Sequence, residues 1–118
     1  MHRTIDRRTV LLAAASGALA MLAASTAAQA DEPTFTLSIT NHKWDPAELV
    51  VPANAKIKLI VRNNDDSPEE FDSKSMNREK VIALKSEATI YIGPLKPGRY
   101  PFEGEFHPQT AQGVVVAK

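Results

Sequence analysis

The sequence predicts an all-β sandwich. Three observations carry that expectation. Several short segments alternate apolar and polar residues with period two, turn-forming residues punctuate them at close intervals, and no window of helical length holds a clean 3.6-residue apolar stripe. Period-two alternation places every second side chain on one face, so each such segment has one face to bury.

The chain opens with a segment of a different kind. Arg3, Arg7 and Arg8 give a positive start, Val10 to Ala24 is an apolar run rich in Leu and Ala, and Ala28-Gln29-Ala30 reads as a small-residue cleavage site. Together these describe a secretory signal peptide over residues 1–30, followed by one domain over residues 31–118 and a periplasmic destination. The apolar run is shorter than the roughly 20 residues that a spanning helix needs. Arg7-Arg8 before Thr9-Val10-Leu11 is similar to a twin-arginine export signal, although Asp6 precedes the pair, and ordinary Sec export stays open.

Within the domain, Phe35, Leu37 and Ile39 alternate with Thr36, Ser38 and Thr40. Ile57, Leu59 and Val61 alternate with Lys56, Lys58 and Ile60, and Ala88, Ile90 and Ile92 alternate with Thr89 and Tyr91. Tyr100-Pro101-Phe102 is an aromatic strand, and Val114 to Val116 is a β-branched run. The breakers between them are Asp45-Pro46, Pro52, Asn63 to Pro68, Gly93-Pro94 and Pro97-Gly98. Lys74 to Lys80 is read as one helical turn, Trp44 as a core aromatic, and His42 as a surface residue away from His107.

Composition excludes several functions. The chain has no Cys, so neither a disulfide nor a thiolate ligand is available. The formal net charge is +0, and loss of the Arg-rich leader leaves a slightly acidic domain with no basic, aromatic-interleaved patch for nucleic acid. No Gly-x-Ser-x-Gly elbow and no phosphate-cradling glycine loop occurs.

Three segments share one resemblance. Gly98 to Val116 runs from an aromatic strand through His107 into a Gly-led valine strand. Trp44-Asp45-Pro46-Ala47-Glu48-Leu49-Val50-Val51-Pro52-Ala53 has the form of an opening motif, with Asn54 where Gly is usual, and Leu59-Ile60-Val61-Arg62-Asn63-Asn64 has the form of the strand before a first ligand. This set resembles the cupredoxins. The resemblance implies a monomeric Greek-key β-sandwich of seven to eight strands with a metal-bearing loop at one pole. In that frame Gly104 stands where the copper-binding Cys would be, and the Met position falls at Ala111 or Gln112. Glu69 or Glu70 replaces the first His. A type 1 blue-copper centre, which needs a thiolate, is therefore excluded.

The resemblance makes His107 the first metal-ligand candidate, since imidazole suits copper, iron, nickel and zinc. Alternation with Phe71 turns Glu69 inward, where a carboxylate needs a partner. The closer family string favours Glu70, and both are kept. The competing reading of Asp65 to Asp72 is a solvated acidic loop. Glu103 and Glu105 add carboxylates near His107, and Met76 adds a thioether in the loop after the acidic segment. Oxygen and nitrogen donors suit Cu(II), Fe or Mn better than Cu(I), so the expected cofactor is copper or iron.

A narrower resemblance covers Glu70-Phe71-Asp72-Ser73, Met76-Asn77-Arg78-Glu79-Lys80-Val81-Ile82, Gly93 to Gly98 and Glu105-Phe106-His107-Pro108. These are similar to small periplasmic cupredoxin-like proteins found with bacterial high-affinity iron permeases. That implies an accessory role in iron uptake, with a permease as partner and delivery or oxidation of ferrous iron as the task. The alternative is a metal-free module that docks a membrane partner through its surface.

Overall fold

The computed structural model describes residues 32–118, all as strands, turns and loops. The signal-peptide and export readings fall on residues outside these. Nine strands form among the described residues: β1 (Thr34–Thr40), β2 (Lys43–Asp45), β3 (Glu48–Val51), β4 (Ile57–Asn63), β5 (Glu69–Ser73), β6 (Arg78–Ile82), β7 (Ser86–Ile92), β8 (Gly98–Gly104) and β9 (Gln112–Ala117). They make two sheets, ordered β2-β1-β4-β7 and β3-β9-β8-β5-β6. The β1–β4 and β3–β9 pairs are parallel and the others antiparallel. A two-sheet β-sandwich is the architecture the alternation predicted.

Alternation explains the packing. Leu37, Ile39, Ile57, Leu59, Val61 and Ile92 are fully buried, and their polar neighbours along the strands face outward. Trp44, Phe71 and Phe102 form an aromatic knot in this core. The Phe71 and Phe102 rings stack with centroids 4.9 Å apart, and Trp44 meets them edge-on at 6.0 and 5.6 Å. Gly113 makes room for the knot, because a Cβ there would lie 2.4 Å from the Phe102 ring.

The strand count exceeds the expected seven to eight for a local reason. Pro46 carries no N–H for a ladder, so the run from Lys43 to Val51 divides there. Its first part pairs with β1 and its second with β9, in the opposite sheet. The helical turn expected within Lys74 to Lys80 is not formed. Lys74 to Asn77 is a hairpin turn with Asn77 at φ 54°, and Arg78 opens β6. Asn tolerates that left-handed conformation better than most residues. Pro101 sits in β8 beyond the short pairing with β5, and its carbonyl accepts a hydrogen bond from the Ser73 hydroxyl at 2.7 Å. A side chain thus continues the contact where the backbone ladder stops.

One end of the sandwich gathers three connections. The β1–β2 turn, the β4–β5 loop and the β8–β9 loop all emerge there, because β1 and β4 run in parallel and β5 and β8 are antiparallel. The aromatic knot anchors this pole: the Trp44 indole N–H donates to the Ala111 carbonyl at 3.2 Å, tying the core to the β8–β9 loop. Truncating Phe71 to Ala should destabilise the domain by about 3–5 kcal/mol, read from the midpoint of a reversible denaturant titration. A loss below about 1 kcal/mol would contradict the packing described.

Candidate metal centre

Glu69 opens β5, and its neighbours in the alternation decide its direction. Glu69, Phe71 and Ser73 face inward while Glu70 and Asp72 face outward. A buried carboxylate is costly unless its lone pairs are used. At Glu69 they are: the backbone N–H of Glu70 donates to Oε1 at 3.0 Å, the N–H of Phe106 donates to the same oxygen at 2.9 Å, and Oε2 lies 2.6 Å from His107 Nδ1. Against a carboxylate, which only accepts, Nδ1 is the donor.

His107 is placed by its loop. Its N–H donates to the Gly104 carbonyl at 3.1 Å, and its own carbonyl accepts from Thr110 and Ala111 at 3.2 and 2.9 Å, so residues 104–111 turn tightly around it. The side chain is 30% exposed, which leaves an edge of the ring open at the pole.

His42 completes the cluster. Its ring stacks on that of His107 with centroids 3.6 Å apart and planes 15° from parallel. This corrects the expectation that His42 lies away from His107, although its side chain is at the surface as expected, 41% exposed. The cause is the β1–β2 connection, a two-residue hairpin in which Asn41 and His42 both have positive φ, 52° and 60°. Such turns require left-handed conformations at both central positions, and Asn and His adopt them more readily than most residues. Asp65 then fixes the turn, accepting the N–H groups of Asn41 and His42 at 2.6 and 3.0 Å. Its Oδ2 also lies 3.5 Å from His42 Nδ1. Burial alone would raise the Asp65 pKa, but the two backbone donors and the nearby His42 and Lys85 outweigh it and hold the carboxyl below its ordinary value. The buried Asn63 holds Asp65 in turn: its Oδ1 accepts the Asp65 N–H, and its amide donates to the Ser67 and Ile82 carbonyls. A two-residue Asn-His connection between alternating segments was the available signal for this hairpin, and it was missed because β2 is only three residues long.

One donor atom from each of His42, Glu69 and His107 lies within 4.8 Å of the others. No other such group of three His, Asp or Glu side chains occurs among the described residues. The remaining candidates are elsewhere. Glu70 and Glu105 meet on the outer face, where the Glu105 N–H donates to the Glu70 carbonyl at 2.9 Å and the two carboxyls are near enough to share a proton. Glu103 pairs with Gln112 and Asp72 and also faces out, since Phe102 and Gly104 face in. Met76 is 7% exposed in the hydrophobic core beyond Ser73, and Ser73 is roughly 13 Å along β5 from Glu69. The period of the strand therefore separates Glu70 and Glu103 from the cluster, and strand length separates Met76.

The family described as "Cupredoxin-like domain" matches residues 12–117. The chain belongs to that cupredoxin-like family. It is 42% identical over 80 residues to the uncharacterized protein RP394 of Rickettsia prowazekii (strain Madrid E), covering 68% of this chain and 64% of that protein's length. Among solved structures, the fold is similar to auracyanin A, a "blue" copper protein from Chloroflexus aurantiacus, with TM-score 0.62, 13% identity and coverage of 72% and 98% of the two chains. It is similar to amicyanin from Paracoccus versutus, with TM-score 0.58, 16% identity and coverage of 78% and 88%. It also resembles the metal-binding domain of the Streptococcus pneumoniae D39 Cu(I)-exporting P-type ATPase CopA, with TM-score 0.61, 15% identity and coverage of 72% and 84%.

Within this cupredoxin-like chain, the pole does not fit a type 1 copper ion. Such a centre needs a thiolate, and the buried Gly104 and Ala111 that face the cluster offer no donor side chain. Two imidazoles and one carboxylate form a different set, one suited to divalent first-row ions.

The outer carboxylates have a pH consequence. The hydrogen bond that the protonated Glu70 carboxyl donates to Glu105, then desolvation, then the charges of Glu105, Glu79 and Asp72 push Glu70 up from 4.5 to about 7. A raised folded-state pKa contributes stability that is full below the unfolded value and lost as pH rises through the folded one. The melting temperature should therefore fall as pH rises from about 4.5 to about 7, and Glu70→Gln should flatten that fall. An identical pH profile in the variant would contradict this account of the pair.

Proposed function

We propose that this protein is an exported, periplasmic metal-binding accessory of bacterial iron uptake. It takes copper or iron as a divalent ion at the pole of the sandwich and serves a membrane iron permease by delivering ferrous iron or assisting its oxidation. One observation carries the metal reading: His42, Glu69 and His107 converge within 4.8 Å, each supplying a nitrogen or oxygen donor. Two imidazoles with one carboxylate are a set used for non-haem Fe(II), and imidazole also suits Cu(II). When bound, such an ion supplies a Lewis-acidic or redox-active centre. The chain's own part is to aim three donors at one point, through Asp65 on the His42 hairpin and through two backbone N–H groups on Glu69.

Structural neighbours named for copper support a metal-binding role for the fold, and the resemblance of the Glu70 to Ile82 and Glu105 to Pro108 strings to permease-associated proteins supports the iron context. RP394 extends beyond the matched region, so the role of the longer relative is not carried over whole.

Titration with Cu(II), Fe(II) and Mn(II) tests the site. The Cu(II) form should show a weak ligand-field spectrum without intense thiolate charge transfer. His42→Ala, Glu69→Gln and His107→Ala should each weaken binding by at least about tenfold. If His107→Ala binds copper as well as the wild type does, the site is wrongly placed. Ferrous-dependent growth tests the role: a deletion strain should be rescued by the wild type and not by His107→Ala. Full rescue by the variant, with no measurable metal affinity in either protein, would favour docking over metal chemistry.

A further inference from the structure

Gly104 is buried at the end of β8, and its missing side chain is spoken for. A Cβ built there would lie 2.7 Å from Cδ and 2.9 Å from Oε2 of Glu69, and 2.6 Å from the Ala111 Cβ. Real Cβ atoms do not approach neighbours that closely, and neither neighbour is a loose chain end. Glu69 is 2% exposed and its carboxylate is held by Glu70, Phe106 and His107, while Ala111 is fully buried with its carbonyl on the Trp44 indole. The carboxylate therefore occupies the space that any side chain at position 104 would need. A thiolate at 104 and a carboxylate at 69 are mutually exclusive in this packing.

We infer that Gly104 is the specificity-determining position of the pole: by lacking a side chain it admits the Glu69 carboxylate and so strengthens the site for divalent ions, which take nitrogen and oxygen donors, relative to Cu(I). This rests on the metal-binding reading above. It adds a residue that touches no ion and that donor identity alone would not single out. Ala111 acts in the same direction, since it presents no thioether to the cluster. Cu(I) favours soft thiolate and thioether donors, whereas carboxylate favours harder divalent ions.

The test uses the full domain in an Ala111→Gly background, which removes the second obstruction. Adding Gly104→Ala should weaken Cu(II) and Mn(II) binding by about 10–100-fold, the range typical of residues that support a ligand. Cu(I) affinity, read by competition with a chromophoric chelator, should change by less than about threefold, because the displaced carboxylate is not a Cu(I) donor. A thermal double-mutant cycle reads the same contact without metal: Gly104→Ala should lower the melting temperature far more with Glu69 present than in a Glu69→Ala background. If Gly104→Ala unfolds the protein and Glu69→Ala restores folding, that is the same coupling at its extreme. Equal losses in both backgrounds, unfolding in both, or unchanged divalent affinity would overturn the inference. Wild-type protein that binds no Cu(II) or Mn(II) would instead remove the metal reading on which it rests.

Discussion

The buried carboxylate of Glu69 is the constraint around which the pole is arranged. A carboxyl group 2% exposed in a sandwich this small is costly to desolvate, and the cost is offset only if its acceptor sites are filled. Two backbone N–H groups on Oε1 and one imidazole on Oε2 take three of its roughly four lone-pair sites. Each partner then has its own requirement. Phe106 can donate only if the β8–β9 loop turns back over β5, which the bonds around His107 enforce. The carboxylate can lie where it does only because Gly104 has no side chain. The aromatic knot beneath holds the floor, through the indole of Trp44 on the Ala111 carbonyl.

Two carboxylates adjacent in sequence have opposite fates for the same reason of period two. Glu69 is turned inward and satisfied by donors, while Glu70 is turned outward and set against Glu105, Glu79 and Asp72. Asp65 plays a third part. It belongs to the loop before β5, yet it anchors the hairpin of the other sheet, so the two histidines are positioned by independent carboxylates from one stretch of chain. The stacking of His42 on His107 is the product of those two anchors.

Much of the fold was legible in the sequence because β-strands with one buried face must alternate. The strands around Leu37, Leu59 and Ile90 announce themselves that way, and β9 by its run of three valines. β6 did not: Arg78, Glu79 and Lys80 are three charged residues on an edge, and only Ile82 is buried. β2 was hidden by its length, and with it the hairpin that carries His42. The inward turn of Glu69 followed from alternation with Phe71. The pairing of β4 with β1, which brings Asp65 to the His42 turn, is a long-range contact that no local pattern encodes. Met76 shows the converse, since a residue three positions past a strand reads as near the site in sequence and lies in the core instead. The family pattern located the pole and the missing thiolate, but the space left by Gly104 becomes visible only when the neighbours of that glycine are known.

The central claim is that two imidazoles and one carboxylate, and no sulfur, converge on one ion at this pole. X-ray absorption spectroscopy of the protein loaded with one equivalent of Cu(II) tests it most directly. The account predicts a first shell of nitrogen and oxygen scatterers only, with multiple-scattering signatures of two imidazoles and the loss of one of them in His42→Ala. A sulfur scatterer in the first shell, or a single imidazole unaffected by His42→Ala, would contradict it.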